Sequence, residues 1–338
     1  MTLKRTRRWI PIFIVILVSP LVLAQSAAQR CAQCEEWNRP QKPFRIFGNS
    51  YYVGPHGLSS VLITSGSGHV LIDGALPASA AQIEANIKAL GFRLQDVKLI
   101  VNSHGHFDHA GGIAALQRLS GASVVASPWS ASVLKHGGVG KDDPQYGAIR
   151  PVATVKNPRG LRDGQSFHVG EIVITAHLTP GHTPGGTSWT WQSCEDKVCR
   201  NMVYADSLNP VSARGFRFSH AATYPTVLED FQRSFAFFEN VPCDIATTSS
   251  SLSRTGQKRK VPSISHRPGA PCARCWRCGK ESVTIAPQRS TIERHLKARS
   301  GCGSTASLRI IRDPSPDPYQ TRPSGFSCWQ RTASRECS

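Results

Sequence analysis

The chain has 338 residues, 40% of them apolar and 18% charged, which is enough for one sizeable domain and an appendage. A net charge of +18 would mark a polyanion binder if it were spread over the fold, but four basic residues (Lys4, Arg5, Arg7, Arg8) sit in the first eight positions and residues 247–338 carry 17 basic against 5 acidic groups. The stretch 9–246 is close to neutral, which excludes nucleic acid as the expected partner of the central region.

The four leading basic residues precede an apolar run, WIPIFIVILVSPLVLA, that closes on small residues around Val22 and Ala24, the layout of an export signal. Pro11 and Pro20 interrupt the run, and at about 16 residues it is shorter than the roughly 20 that a spanning helix needs. Residues 1–24 are therefore expected to be cleaved, leaving a periplasmic protein with no stable membrane anchor. Export implies an oxidising compartment, in which cysteines pair. Cys194 and Cys199 bracket a short polar stretch, QSCEDKVC, between two apolar runs, and are expected to be joined in a disulfide. Cys31 and Cys34 lie too near an untethered end to be assigned.

From about Phe44 short strand-like runs (YYVG, SSVLITS, HVLIDG) alternate with Gly and Ser turns, predicting an antiparallel meander. Pro77 to Leu90 places Ile83, Ile87 and Leu90 on one stripe ahead of Gly91, which predicts a helix. VKLIVNS reads as a strand, AGGIAALQRLSG as a helix, SVVAS as a strand and SPWSASVLKHG as a helix with a Ser/Pro start. Strands are expected at EIVITAHL, GGTSWTWQ and NMVYAD, and a helix from about Thr226 to Phe238. Strands interleaved with helices predict layered α/β architecture.

The chemistry concentrates in His104-Gly105-His106-Phe107-Asp108-His109, at the end of an apolar strand and the start of a helix. Three imidazoles and a carboxylate within six residues form a dense set of borderline donors suited to zinc. Side chains at positions i and i+2 can face one ion while those at i+4 and i+5 turn into the helix toward a second. LTPGHTPGGTSW supplies a further donor, His182, held outward between Gly and Pro turns.

In these motifs the sequence resembles the metallo-β-lactamase superfamily, and within it the third subclass of class B β-lactamases, which binds two zincs without a cysteine ligand. SSVLITSGSGHVLIDGALP, VNSHGHFDHAGGIAALQ, TPGHTPGGTSW, YADSLNP and VPCD carry the likeness in the same order, over about residues 36–246. The resemblance implies a four-layer αββα sandwich, incomplete at its C-terminus, occupying residues 25–246. It implies a first zinc on His104, His106 and His182 and a second on Asp108 and His109, with a hydroxide between them. That hydroxide would attack the amide carbonyl of a β-lactam while Asp108 orients it or shuttles its proton. Ser207 matches the position where the wider superfamily has a bridging Asp. Ser207 and Asn209 lie where the subclass contacts the substrate carboxylate, and Trp37 would line the groove. A monomer acting on a small-molecule β-lactam, and conferring resistance to such antibiotics, is the expectation.

The sequence departs from the family after VPCD. The subclass completes its second zinc with a histidine in a Thr-Pro-His-Pro turn, whereas this chain reads CDIATTSSSLSRTG and offers no histidine before His266. The family's partner for Cys243, on a closing helix, also has no counterpart. Residues 247–338 are rich in Arg, Ser, Pro and Cys and too poor in aliphatic residues to bury a core, so a disordered basic tail is expected, of the composition that a shifted reading frame produces. Its Cys272-x-x-Cys275-x-x-Cys278 spacing, with His295 or Cys302, is read as coincidence rather than a structural zinc site. Two rival functions remain: another hydrolase of the same fold, acting on thioesters, lactones or phosphoesters, and a non-enzymatic metal or nucleic-acid binder working through the tail.

Overall fold

The computed structural model describes residues 31–250. The export signal expected over residues 1–24, His266 and the cysteine motif of the tail lie outside the described residues.

After a one-turn helix, α1 (Cys34–Trp37), two sheets follow one another along the chain. The first takes β1 (Phe44–Phe47), β2 (Ser50–Tyr52), β3 (Val61–Ser65), β4 (Gly68–Ile72), β5 (Val97–Val101), β6 (Ser123–Ala126) and β7 (Arg159–Gly160) in sequence order. β1 to β4 pair antiparallel, and β4 to β7 pair parallel. The change occurs where hairpins give way to the helical crossovers that parallel pairing requires, namely α2 (Ala80–Ala89) and α4 (Ile113–Ser120), with α5 (Pro128–His136) after β6. The second sheet runs in the order β12 (Ile245–Thr248), β11 (Val198–Ala205), β10 (Thr187–Glu195), β9 (Ile172–Leu178) and β8 (Ser166–Val169). It is antiparallel except for β11 and β12, which are parallel and joined across α6 (Val227–Asn240).

Period-two alternation builds the layers. In the first sheet Leu62, Leu71, Ile100 and Val124 turn toward Ile83 and Ile87 of α2, Leu116 of α4 and Leu134 of α5. Their neighbours Ile63, Val70, Ile72, Val101 and Val125 turn the other way, onto Ile174, Trp189, Trp191, Met202 and Tyr204 of the second sheet. Val203 and Ala205 of β11 then face outward onto Phe238 of α6. The result is helix, sheet, sheet, helix, as the resemblance implied. The helix expected from Pro77 begins as a 3₁₀ turn over Pro77–Ser79 and becomes α-helical at Ala80. The start of α5 is as read: the Ser127 hydroxyl accepts from Ser130 N at 3.2 Å and Pro128 occupies the first turn. No helix among the described residues is long and apolar enough to cross a membrane.

The folded pattern does not stop at residue 246. β12 continues through Thr248, pairing Thr247 with Tyr204 and Thr248 with Ala205. Ser249 N then donates to Ala205 O at 2.9 Å, and Ser250 bridges to Leu58. The strand starts on Ile245 and Ala246, which are buried in the core, but its last residues, Thr247 and Thr248, are polar and held by backbone pairing, which is why its end reads as tail in the sequence. Cys194 faces Cys199 in the β10–β11 register and the two are linked, and Cys31 is linked to Cys34.

Candidate metal centre

In open α/β sheets the polar loops collect beyond the carboxyl ends of parallel strands, and here both sheets deliver side chains to one such edge. Asp73 follows β4, the Asn102–Ser103–His104 turn follows β5, Asp206 follows β11, and Ser249 and Ser250 follow β12. After the turn, His106 occupies the N-terminal boundary of a one-turn helix, α3 (Phe107–Ala110), which carries Asp108 and His109. Gly105 is required between the turn and this helix, because a Cβ there would stand 2.9 Å from the Val133 side chain. His182 arrives from the β9–β10 connection. Gly181, at φ +136°, lets that turn lie against α6, where an added Cβ would meet the Phe231 ring at 2.6 Å.

One donor atom from each of His104, His106 and His182 lies within 4.8 Å of the others, and a second group, His104, Asp108 and His109, meets the same limit. His104 belongs to both groups and so stands between them. All four imidazoles are buried, while Asp108 is half-buried. Each ring of the first group is turned by a partner on its far nitrogen. His104 Nδ1 meets Asp206 Oδ1 at 2.7 Å, His106 Nε2 meets Asp143 Oδ2 at 2.9 Å, and His182 Nδ1 meets the Asn209 carbonyl at 2.7 Å. That is the arrangement by which proteins fix the tautomer and aim of metal-binding histidines. It leaves His104 Nε2, His182 Nε2 and His106 Nδ1, the last with Gln145 Nε2 at 3.4 Å, for a common guest. His104 Nε2 and Asp108 Oδ1 are buried polar atoms with no hydrogen-bond partner, which is costly unless a cation sits against them. The residues fit a metal.

The electrostatics agree. Burial, reinforced by the neighbouring imidazoles, holds His104 well below its ordinary pKa, and burial with the charge of His106 brings His182 down to about 4. Both rings are therefore neutral donors at neutral pH. Burial pushes the Asp206 carboxyl well up, so Asp206 and His104 both prefer to be uncharged until a cation offsets their desolvation. His109 behaves differently: burial opposes its charge, but Asp108 and Asp73 outweigh it and raise the ring to about 10. Asp108 is lowered in turn, burial again opposing and His109 prevailing.

The structure thus brings together all five residues that the sequence marked as donors, His104, His106, Asp108, His109 and His182. Ser207 stands at the same edge, its hydroxyl 3.3 Å from that of Ser249, while Asn209 engages His182 through its main chain. Trp37 is half-buried and covers Gly57. Sequence reading missed the partners behind the donors. Asp206 lay unremarked beside Ser207. Asp143 sits in an irregular loop pinned by Trp129 Nε1 to Asp142 at 2.7 Å and by Ala213 N to Pro144 O at 2.8 Å. Buried Asp73 accepts from Asn102 Nδ2, Ser103 N, Ser103 Oγ and the Tyr204 hydroxyl, and its Oδ2 stands 3.6 Å from His109 Nδ1. The LIDG motif that contains Asp73 was the available signal, read only as strand and turn.

Comparison with known proteins gives the same picture. Residues 53–195 match the family model described as the metallo-beta-lactamase superfamily. Among solved structures, the Rm3 metallo-beta-lactamase is 59% identical, with a TM-score of 0.65 over 66% of this chain and 82% of that one. MEM-A1, a subclass B3 metallo-beta-lactamase from a soil metagenome library, is 52% identical, with a TM-score of 0.62 over 63% and 81%. Among curated relatives, the hydroxyacylglutathione hydrolase of Anaeromyxobacter dehalogenans (strain 2CP-C) is 32% identical over 131 residues, 39% of this chain and 41% of that protein. The chain therefore spans less than half the length of that relative.

Proposed function

The chain belongs to the metallo-β-lactamase superfamily, with subclass B3 enzymes among its structural relatives, and from that premise we propose that it hydrolyses the amide bond of β-lactams with zinc held at this edge. The observation that carries the reading is the convergence of His104, His106 and His182, each turned by its own partner, onto one point. Three imidazoles with an open fourth position are a catalytic rather than a structural zinc set. Zinc bound there would activate water near neutral pH and polarise the lactam carbonyl.

The chain's own residues do the rest. Asp206, Asp143 and the Asn209 carbonyl hold the three rings so that the donor nitrogens need no reorganisation when substrate arrives. Asp108 stands at the site with its Oδ2 3.4 Å from His109 Nε2, and as a carboxylate at neutral pH it can accept a proton from water and return it to the departing lactam nitrogen. Ser207 and Asn209 are assigned to the substrate carboxylate. The enzymatic unit expected over residues 25–246 is taken to extend through Ser250, which bridges to Leu58, and a second zinc on Asp108 and His109 belongs to the proposal. The paired cysteines support an exported, periplasmic protein.

The test is turnover by the purified chain of a panel comprising a penicillin, a carbapenem, a glutathione thioester and an acyl lactone, before and after chelation and zinc return. Lactam hydrolysis that is lost on chelation, restored by zinc and abolished in His106→Ala is the expected result. Zinc-dependent turnover of the thioester alone would move the chain to the reading suggested by its hydroxyacylglutathione hydrolase relative.

A further inference from the structure

His109 Nε2 has a second oxygen neighbour besides Asp108. The Ser250 hydroxyl lies 3.5 Å from it, against 3.4 Å for Asp108 Oδ2. Donor atoms placed 2.0–2.2 Å from one tetrahedral ion stand roughly 3.3–3.6 Å apart, because the tetrahedral angle fixes the chord between them. Carboxylate and hydroxyl both stand from the imidazole at the separation of co-ligands. The hydroxyl is also held in place. Ser249 N donates to Ala205 O at 2.9 Å, Ser59 N donates to Ser249 O at 3.0 Å, and Ser250 itself bridges to Leu58, so the backbone that presents it is tied to both sheets.

We propose that Ser250 is the third protein donor of the second metal position, and that this position is in consequence a weak, exchangeable one beside a tight first one. The proposal rests on the assignment of zinc to the histidine cluster made above. Its physical basis is donor chemistry. Protein zinc sites are built from thiolate, imidazole and carboxylate, and a neutral alcohol is a poor substitute for any of them. The first position has three imidazoles. The second has one imidazole, one carboxylate and a hydroxyl that contributes geometry and little affinity.

The experiment titrates the metal-stripped full-length chain with zinc alone against a chromophoric chelator, and follows cobalt(II) absorption in parallel. Wild type is compared with Ser250→His, Ser250→Ala, His266→Ala and His106→Ala. Two affinities are expected for wild type, separated by at least about tenfold, the lower end of what even an outer-shell change costs a metal site. Ser250→His should tighten the weaker one by about tenfold or more, Ser250→Ala should weaken it further, and His266→Ala should change neither. Two equal affinities in wild type, an unaltered weak site in Ser250→Ala, or loss of that site in His266→Ala would each overturn the proposal while leaving the first position standing. If His106→Ala keeps the tight zinc, the assignment of the cluster itself has failed.

Discussion

Asp206 lies behind the first metal position, and its removal separates a metal-positioning role from a structural one. Its Oδ1 meets His104 Nδ1 at 2.7 Å with both side chains fully buried, so in Asp206→Ala the ring nitrogen is left with the Ser103 hydroxyl, which is farther off at 3.5 Å and already donates to Asp73 at 2.6 Å. Loss of such a partner costs about 10–100-fold in metal affinity, equivalent to about 1.4–2.7 kcal/mol. The metal-free protein should respond less. Burial pushes the Asp206 carboxyl up, so at neutral pH the folded chain already bears a cost for holding that group, and its removal relieves part of what the lost hydrogen bond takes away. The assay is a pair of denaturant titrations for each protein, zinc-loaded and zinc-free, with chelator competition for affinity. The increment of stability that zinc confers should shrink by about 1.4–2.7 kcal/mol in Asp206→Ala. Asp206→Asn, which keeps an acceptor without the charge, should fall between. Equal loss in both states, or wild-type zinc affinity in Asp206→Ala while His104→Ala loses its metal, would refute the reasoning.

Gly181→Ala forces a Cβ to 2.6 Å from the Phe231 ring at φ +136°; about 1–3 kcal/mol of stability and tight zinc binding should go together, and a variant that keeps both would show the turn to be pliable. Replacing Cys194 and Cys199 by Ser should cost about 2 kcal/mol, the closure entropy of so short a loop, while zinc content by atomic emission stays unchanged, because the link lies at the opposite end of β10 and β11 from Asp206. The zinc-free protein should be most stable near the ordinary histidine pKa of 6.5. His182, brought down to about 4 by burial and by His106, contributes stability that is present above 6.5 and lost as pH falls toward 4. His109, whose burial is outweighed by Asp108 and Asp73 to give about 10, contributes stability that is present below 6.5 and lost as pH rises toward 10. Denaturation midpoints that stay flat from about pH 5 to about pH 9 would contradict both.

The donors were legible in the sequence because they are local. Four of them share one loop, and His182 stands between Gly and Pro turns, so residue type and spacing suffice. The strands flanking the inter-sheet core were legible for a similar reason, since Ile63, Val101 and Trp189 belong to runs whose alternation survives without tertiary information. What escaped was set by the approach of distant segments. Asp143 and Asp206 reach their histidines from an irregular loop and from a strand end; nothing near Asp143 distinguishes it from a surface carboxylate, and the YADSLNP motif around Asp206 does not say which histidine it meets. Ser250 escaped for a sharper reason: it lies in a run of serines beyond the last core residue of β12, and only the backbone register of β12 against β11 carries it to His109.

The two sheets occupy consecutive stretches of chain that meet at residues 161–165, and His104 to His109 come from the first while His182 comes from the second. An ion held by His104, His106 and His182 is therefore a removable cross-link between the two halves of the polypeptide, closing the long loop from His106 to His182 as a reducible disulfide would. Metal supply then governs cooperativity. Loaded, the halves must part and release the ion in one event. Stripped, the seam around Trp189 and Trp191 keeps its apolar contacts and a few hydrogen bonds at that edge, among them Trp189 Nε1 to Asn102 O at 3.2 Å and Thr187 N to Ser103 O at 2.8 Å, and opening there becomes less costly.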